Sequence, residues 1–124
     1  MKARVLVVED ETMVLLFASM VLEDEGFEVV TATDGQKGLE AGLRRDVDVI
    51  VTDYMMPRMD GMAMLRALRE EGVVPPVVVT SAVARSHLGA DDVSIGRYLR
   101  KPYDEQALVD AVRASLGEAS NGGG

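Results

Sequence analysis

The chain of 124 residues has the size of one compact domain, and 48% of its residues are hydrophobic while 27% are charged. No uncharged apolar stretch approaches the roughly 20 residues of a membrane span, and nothing at the N-terminus resembles a signal peptide. A formal net charge of −8 disfavours direct binding to nucleic acid or membranes, and the absence of cysteine excludes disulfides and thiolate metal sites. The composition predicts a cytoplasmic globular domain without a direct nucleic-acid or membrane partner.

Apolar periodicity predicts the first two strands and the helix between them. Residues 5–8 are apolar and predict a buried strand, and residues 27–31 predict a second strand. Between them, apolar side chains recur at three-and-four spacing on one face of a helix that Gly26 ends. This face consists of Met13, Leu16, Phe17, Met20 and Val21.

The second helix is the weakest of the first three. Asp34 is predicted to be its N-cap, and Gly38 and Gly42 lower its intrinsic stability. Residues 46–52 follow and are apolar at Val47, Val49, Ile50 and Val51, which is expected of a central strand that helices cover on both faces.

Two further helices and two further strands are predicted in the second half of the chain. The third helix is expected to end at the Pro75–Pro76 pair, and residues 77–80 predict the fourth strand. The pattern is poor over residues 81–96, residues 95–100 predict the fifth strand, and Asp104 caps the last helix. The inward faces of the two helices consist of Met64, Leu65 and Leu68 and of Ala107, Leu108, Ala111, Val112 and Ser115.

Strands that alternate with helices imply crossover connections and a parallel sheet in a three-layer α/β sandwich. The carboxyl ends of parallel strands form one crevice, where open α/β sheets bind ligands. Glu9 and Asp10 follow the first strand, Asp53 follows the third and Lys101 follows the fifth. We therefore expect three carboxylates and one ammonium group to meet at a site for a divalent cation and a phosphoryl group.

Asp10 and Asp53 are the kind of carboxylate pair that magnesium takes as ligands in proteins. Two carboxylates held close repel each other without a cation, so added magnesium should stabilise the apo protein. An aspartate beside a bound cation can also be a nucleophile toward phosphorus and form an acyl phosphate. Lys101 would then pair with the phosphoryl oxygens.

The joint pattern resembles a receiver domain of two-component response regulators, similar to the bacterial chemotaxis regulator. The resemblance covers residues 3–116 and is specific because it needs four segments in order. They are Val8-Glu9-Asp10, Asp53-x-x-x-Pro57-x-x-Asp60-Gly61, Ser81-Ala82 after a buried strand, and Lys101-Pro102. It implies a flavodoxin-like sandwich with a five-stranded parallel sheet in the order 2-1-3-4-5 and five flanking helices.

Carried over by position, the resemblance implies that Asp53 is the phosphoacceptor. It implies that Asp10, Asp53 and the backbone carbonyl of Met55 bind Mg²⁺, for which Mn²⁺ can substitute, and that Glu9 acts through a metal-bound water. The donor is then a histidine kinase or a histidine phosphotransfer protein, and the output is altered binding to a downstream protein target. Such a domain catalyses only its own phosphorylation and slow dephosphorylation, and is not an enzyme with a separate substrate.

The resemblance also implies a switch. Ser81 hydrogen-bonds the phosphoryl group, Lys101 contacts the phosphoryl oxygens, and Tyr98 swings inward when Ser81 does. The peptide bond between Lys101 and Pro102 is expected to be cis.

Alternative interpretations remain. Taken one at a time, these residues fit turn aspartates and a solvated lysine. A magnesium-dependent phosphatase of the haloacid-dehalogenase type also uses a strand-end aspartate, but it needs a second aspartate where this chain has Met55. A flavodoxin-like flavin protein shares the strand order, but the acidic residues 9–11 would repel a flavin phosphate. A degenerate receiver would be a constitutive protein-binding module, which the intact acceptor, acid pair, hydroxyl and lysine disfavour.

The chain departs from the family between the fourth and fifth strands. Residues 83–94 are slightly shorter than usual and Gly89 interrupts them, so the fourth helix is expected to be short, frayed or displaced. His87, the only histidine, is expected to be exposed there. Met55 and Val83 lie beside the acceptor, and we hypothesise that they hinder an attacking water and slow self-dephosphorylation.

The predicted receiver domain covers residues 1–117, and residues 118–124 are expected to form a flexible Gly-rich tail. The sequence leaves open the cognate kinase and the oligomeric state. It also leaves open whether the chain is a stand-alone regulator or a piece of a hybrid kinase or larger regulator.

Overall fold

A computed structural model of the chain describes residues 2–56, 58–83 and 96–122, with side chains as far as residue 117. Within these ranges the strands are β1 (Arg4–Val8), β2 (Glu28–Ala32), β3 (Val49–Asp53), β4 (Val77–Ser81) and β5 (Arg97–Arg100). The helices in the same ranges are α1 (Thr12–Asp24), α2 (Gly35–Gly42), α3 (Gly61–Glu70) and α4 (Glu105–Gly122).

The strands form one parallel sheet in the order β2-β1-β3-β4-β5. Val8 pairs with Ala32 on one side and with Thr52 on the other, and Asp53 pairs with Thr80. The carboxyl ends of the strands therefore lie along one edge of the sheet. The predicted flavodoxin-like sandwich and its strand order are confirmed.

The sheet divides the core into two halves, because successive side chains of a strand point to opposite faces. Val5 and Val7 pack on the face that α1 and α4 cover, whereas Leu6 and Val8 pack on the face that α2 and α3 cover. Every residue of β3 and β4 is buried. This burial on both faces explains why these strands are apolar without alternation.

The buried face of α1 is not the apolar face that its sequence spacing predicted. Leu15, Ala18 and Leu22 are among the residues of α1 buried against the sheet, and Val21 is the one member of the predicted face that is buried. No charged residue occurs in residues 12–22, so the helix is apolar on nearly all sides and spacing alone could not select the buried face. The exposed members are Met13 (77%), Leu16 (51%), Phe17 (36%) and Met20 (65%).

The caps and inward faces of the other helices agree with the sequence. The carboxylate of Asp34 accepts a hydrogen bond from the N–H of Lys37, and that of Asp104 accepts one from the N–H of Ala107, both at 2.8 Å. Gly26 follows α1 with a φ of 92°. The side chains predicted to face inward from α3 and α4 are buried or half-buried.

The boundaries predicted for the third helix and the third strand were wrong. The third helix ends at Glu70, before the Pro75–Pro76 pair, because Gly72 turns the chain with a φ of 78°. The third strand begins at Val49 instead of residue 46, and it includes Asp53 as its last residue.

Several predictions concern residues outside the described ranges. They are the fourth helix expected over residues 83–94, with His87 and Gly89, the start of the fifth strand at Ile95, and Pro57 of the loop motif. The backbone of α4 is helical to Gly122, past the domain boundary expected at residue 117, and the flexible tail stays a prediction. None of the helices in the described part of the chain combines the length and apolarity needed to cross a bilayer.

Gly38 allows α2 to pack closely on the sheet. A Cβ atom at Gly38 would lie 2.5 Å from Sδ of Met64 and 2.9 Å from a methyl carbon of Val8. The same holds at Gly42, where a Cβ would lie 2.7 Å from a methyl carbon of Leu68. The glycines that weaken α2 as an isolated helix are therefore required by its tertiary contacts.

Gly38→Ala is expected to lower the free energy of unfolding by about 1 kcal/mol. Overpacking costs about 1–3 kcal/mol and exceeds the gain in helix propensity of about 1 kcal/mol. Gly117→Ala in α4 is the matched control, since a Cβ there meets nothing within 4 Å and should stabilise by about 0.5–1 kcal/mol. Urea denaturation measures both variants, and an equal gain at both positions would contradict the close packing.

Candidate functional site

The three acidic residues predicted for the site meet at the carboxyl edge of the sheet. Glu9 and Asp10 directly follow β1, and Asp53 ends β3. One carboxylate oxygen of each residue lies within 4.8 Å of the others. Glu9 and Asp53 are 3% and 6% exposed, whereas Asp10 is exposed. The cluster therefore has a buried floor and one carboxylate that faces solvent.

Lys101 lies between the two buried carboxylates. Its Nζ is 2.5 Å from Oε1 of Glu9 and 2.9 Å from Oδ2 of Asp53. The other oxygen of Glu9 accepts a hydrogen bond from the N–H of Glu11 at 3.1 Å. The N–H of Lys101 donates to the carbonyl of Ser81 at 2.8 Å, which ties this residue to the end of β4. The expected convergence of carboxylates and ammonium is present in the structure.

Burial and charge act in opposite directions on this cluster. Burial alone would lower the pKa of Lys101, but hydrogen bonds to Glu9 and Asp53 outweigh it and raise that pKa above its ordinary value. Burial raises the pKa of the Glu9 carboxyl against the opposing hydrogen bonds from Lys101 and from the N–H of Glu11, and the Asp53 carboxylate also raises it. The ammonium group therefore stays charged between two carboxylates that would otherwise repel each other.

Of the remaining predicted residues, Met55 contacts Asp53, and Ser81 and Tyr98 are connected to each other. Met55 is 66% exposed, and its N–H donates to Oδ1 of Asp53 at 3.4 Å. Ser81 is buried, and its Oγ accepts a hydrogen bond from the N–H of Val83 at 3.1 Å. The hydroxyl of Tyr98 donates to the carbonyl of Val83. Ser81 and Tyr98 are thus linked through the backbone of one residue.

Tyr103 lies beside the site and was not singled out from the sequence. It follows Lys101 and Pro102, whose peptide bond is cis as predicted. Burial, followed by the carboxylate of Glu9, raises the pKa of Tyr103 to about 12. Its ring is 6.1 Å from that of Phe17, and both rings and Lys101 line a cleft of about 490 Å³. The sequence signal for Tyr103 was its place two residues after Lys101.

Comparison with known proteins establishes the family. A profile of the response regulator receiver domain matches residues 5–113. The alkaline phosphatase synthesis transcriptional regulatory protein SphR of Synechococcus elongatus is 36% identical in an alignment that covers 96% of this chain and 51% of that protein. The transcriptional regulatory protein CseB of Streptomyces coelicolor is 35% identical in an alignment that covers 99% of this chain and 53% of that protein. The chain belongs to the response regulator receiver domains of two-component systems.

Solved receiver domains match the chain nearly end to end. The receiver domain of the Francisella response regulator 1452 has a TM-score of 0.86 at 29% identity, covering 95% of this chain and 99% of that domain. The chemotaxis protein CheY4 of Vibrio cholerae has a TM-score of 0.85 at 28% identity, with 94% and 100% covered. The predicted resemblance to a chemotaxis-type receiver is confirmed. The chain spans about half the length of the curated relatives it matches.

Lys101→Met is expected to lower the free energy of unfolding by about 3 kcal/mol at neutral pH, because it leaves two buried carboxylates without a counter-charge. The control is Arg113→Met, which removes an exposed ion pair of 2.7 Å to Glu25 and should cost about 0–1 kcal/mol. Urea denaturation of both variants measures the difference. A loss at Lys101 no larger than that at Arg113 would show that the buried ion pairs stabilise the fold no more than an exposed ion pair does.

Proposed function

We propose that this receiver domain is a phosphorylation switch, which accepts a phosphoryl group on Asp53 in a Mg²⁺-dependent reaction and then changes its protein-binding surface. The observation that carries the proposal is the contact of Lys101 with Asp53 within a cluster of three carboxylates. Such a site offers a nucleophilic oxygen, a fixed positive charge for phosphoryl oxygens and hard ligands for a divalent cation.

The proposed reaction at Asp53 is an in-line displacement at phosphorus. A carboxylate oxygen forms an O–P bond while the N–P bond of a donor phosphohistidine breaks, and the leaving imidazole takes up a proton. The ammonium of Lys101, at 2.9 Å from Oδ2 of Asp53, is placed to pair with the phosphoryl oxygens. Met55 and Val83, which are 66% and 41% exposed, are proposed to hinder water that would hydrolyse the acyl phosphate.

The donor set fits Mg²⁺ or Mn²⁺, because it consists of carboxylate oxygens. Asp10 and Asp53 would hold the cation directly, together with the backbone carbonyl of Met55. Glu9 would act through water, because both of its oxygens already have partners in the protein. When bound, the cation supplies positive charge beside the transferring phosphoryl group.

The proposed switch involves Ser81, Tyr98 and the backbone of Val83, which contacts both side chains. Movement of the Ser81 hydroxyl toward a phosphoryl oxygen would release the N–H of Val83, whose carbonyl holds the hydroxyl of Tyr98. Phosphorylation would thereby shift the population of two arrangements of this edge of the sheet. The output is a change in the surface that a protein target binds.

The proposed donor is a histidine kinase or a histidine phosphotransfer protein. The relatives that are about twice as long carry the name transcriptional regulatory protein, so a longer regulator is one possible setting for this domain. The net charge of −8 disfavours direct DNA binding by the domain itself. In this proposal the domain catalyses its own phosphorylation and turns over no separate substrate.

Asp53→Asn is expected to abolish phosphorylation, because the amide is not a nucleophile toward phosphorus. The test is incubation with Mg²⁺ and acetyl phosphate followed by intact-mass measurement, where the parent chain should gain one phosphoryl group. Asp60→Asn is the matched control, since the side chain of Asp60 caps α3 through the N–H of Ala63 and asparagine also caps helices. Phosphate incorporation into the Asp53 variant would refute the assignment. An unmodified parent chain would instead favour a constitutive binding module.

Added Mg²⁺ is expected to raise the melting temperature, because the cation relieves repulsion between Asp10 and Asp53. At ten times its dissociation constant the gain is about 1.4 kcal/mol. Calorimetry with MgCl₂, against NaCl of equal ionic strength, measures the effect. Asp10→Asn should lose most of the gain, and an unchanged gain in that variant would place the cation elsewhere.

A further inference from the structure

The segment that carries Lys101 is held mainly by side-chain packing. The N–H of Lys101 donates to the carbonyl of Ser81, and the next hydrogen bond between backbone groups along the chain is accepted by the carbonyl of Asp104, just before α4. Within the described part of the chain, Pro102 and Tyr103 make no backbone hydrogen bond. The position of this segment therefore depends on what its side chains contact.

Tyr103 supplies that contact. Its half-buried side chain packs against the core half that includes Leu15 and Val109, and its ring faces that of Phe17 at 6.1 Å and 45°. Phe17 belongs to α1, which the buried Leu15 and Leu22 attach to the sheet. The aromatic pair thus connects a firmly packed helix to the segment that carries the ammonium group.

The same contact lies close to the phosphoacceptor site. Tyr103 and Lys101 line one cleft with Phe17. Burial is the main cause that raises the pKa of the Tyr103 phenol, and the nearby carboxylates of Glu9 and Asp53 raise it further. A displacement of the Tyr103 ring would therefore move the segment at the point where Lys101 meets both carboxylates.

We propose that Tyr103 is a positioning residue for phosphoryl transfer, because its packing against Phe17 fixes the ammonium of Lys101 between Glu9 and Asp53. This inference rests on the proposed phosphorylation of Asp53. The aromatic ring performs this role, and the hydroxyl, which makes no hydrogen bond to the described residues, is dispensable.

The first test compares initial rates of phosphorylation by acetyl phosphate and Mg²⁺, followed by intact mass. Tyr103→Ala is expected to be about tenfold slower, since a small misplacement of a charged group costs rate steeply. Tyr103→Phe keeps the ring and should retain the parent rate. Leu16→Ala, on the exposed face of the same α1, is the control that should change nothing. A parent rate in Tyr103→Ala would overturn the proposal.

The second test separates positioning from general damage to the fold. If Tyr103 acts through Lys101, then Tyr103→Ala should cause no further slowing in a Lys101→Met background. A further slowing there by the same factor as in the parent would overturn the proposal. If Tyr103→Ala does not fold, Phe17→Leu is the milder variant, and it is expected to slow phosphorylation about threefold. In a Lys101→Met background, Phe17→Leu should again cause no further slowing. A parent chain that is not phosphorylated at all would contradict the proposed function itself.

Discussion

An ammonium group held between two buried carboxylates is the interaction on which the rest of this structure depends. Glu9 follows β1 and Asp53 ends the neighbouring β3, and both side chains are buried. Lys101 supplies the compensating charge from beyond β5, two strands away from β3. The parallel sheet with this strand order brings the three groups together, because it collects the carboxyl ends of β1, β3 and β5 along one edge. The exposed Asp10 then completes a cluster of three carboxylates that is open to solvent.

Most of the architecture could be predicted from the sequence, since buried parallel strands have a continuous apolar pattern that is hard to mistake. The turn chemistry of Asp34 and Asp104 likewise located the helix starts. The orientation of α1 could not be predicted, because its residues 12–22 are apolar around the whole circumference. The role of Gly38 was also hidden, since a close contact with Val8 and Met64 is a tertiary property.

The residues of the site could likewise be predicted only in part, because some of their contacts depend on tertiary packing. Glu9, Asp10, Asp53 and Lys101 were predictable because each follows a strand, and strand ends converge in a parallel sheet. The contact of Tyr103 with Phe17 was not, because it depends on the rotation of α1 that spacing failed to select. The error about one face of α1 therefore concealed the contact of Tyr103 with Phe17, although the place of Tyr103 two residues after Lys101 could be seen in the sequence. The wrong face of α1 and the missed aromatic contact have the same cause, because α1 is apolar around its whole circumference and spacing could not select its buried face.

The most direct measurement is chemical trapping of the acyl phosphate. Borohydride reduces an aspartyl phosphate to homoserine, and peptide mass mapping then locates the modified residue. The chain treated with Mg²⁺ and acetyl phosphate should contain homoserine at position 53 and aspartate at positions 10 and 60. Homoserine at Asp10, or a phosphoryl group carried stably on a serine or threonine, would contradict the assignment of Asp53 as the group that captures phosphorus.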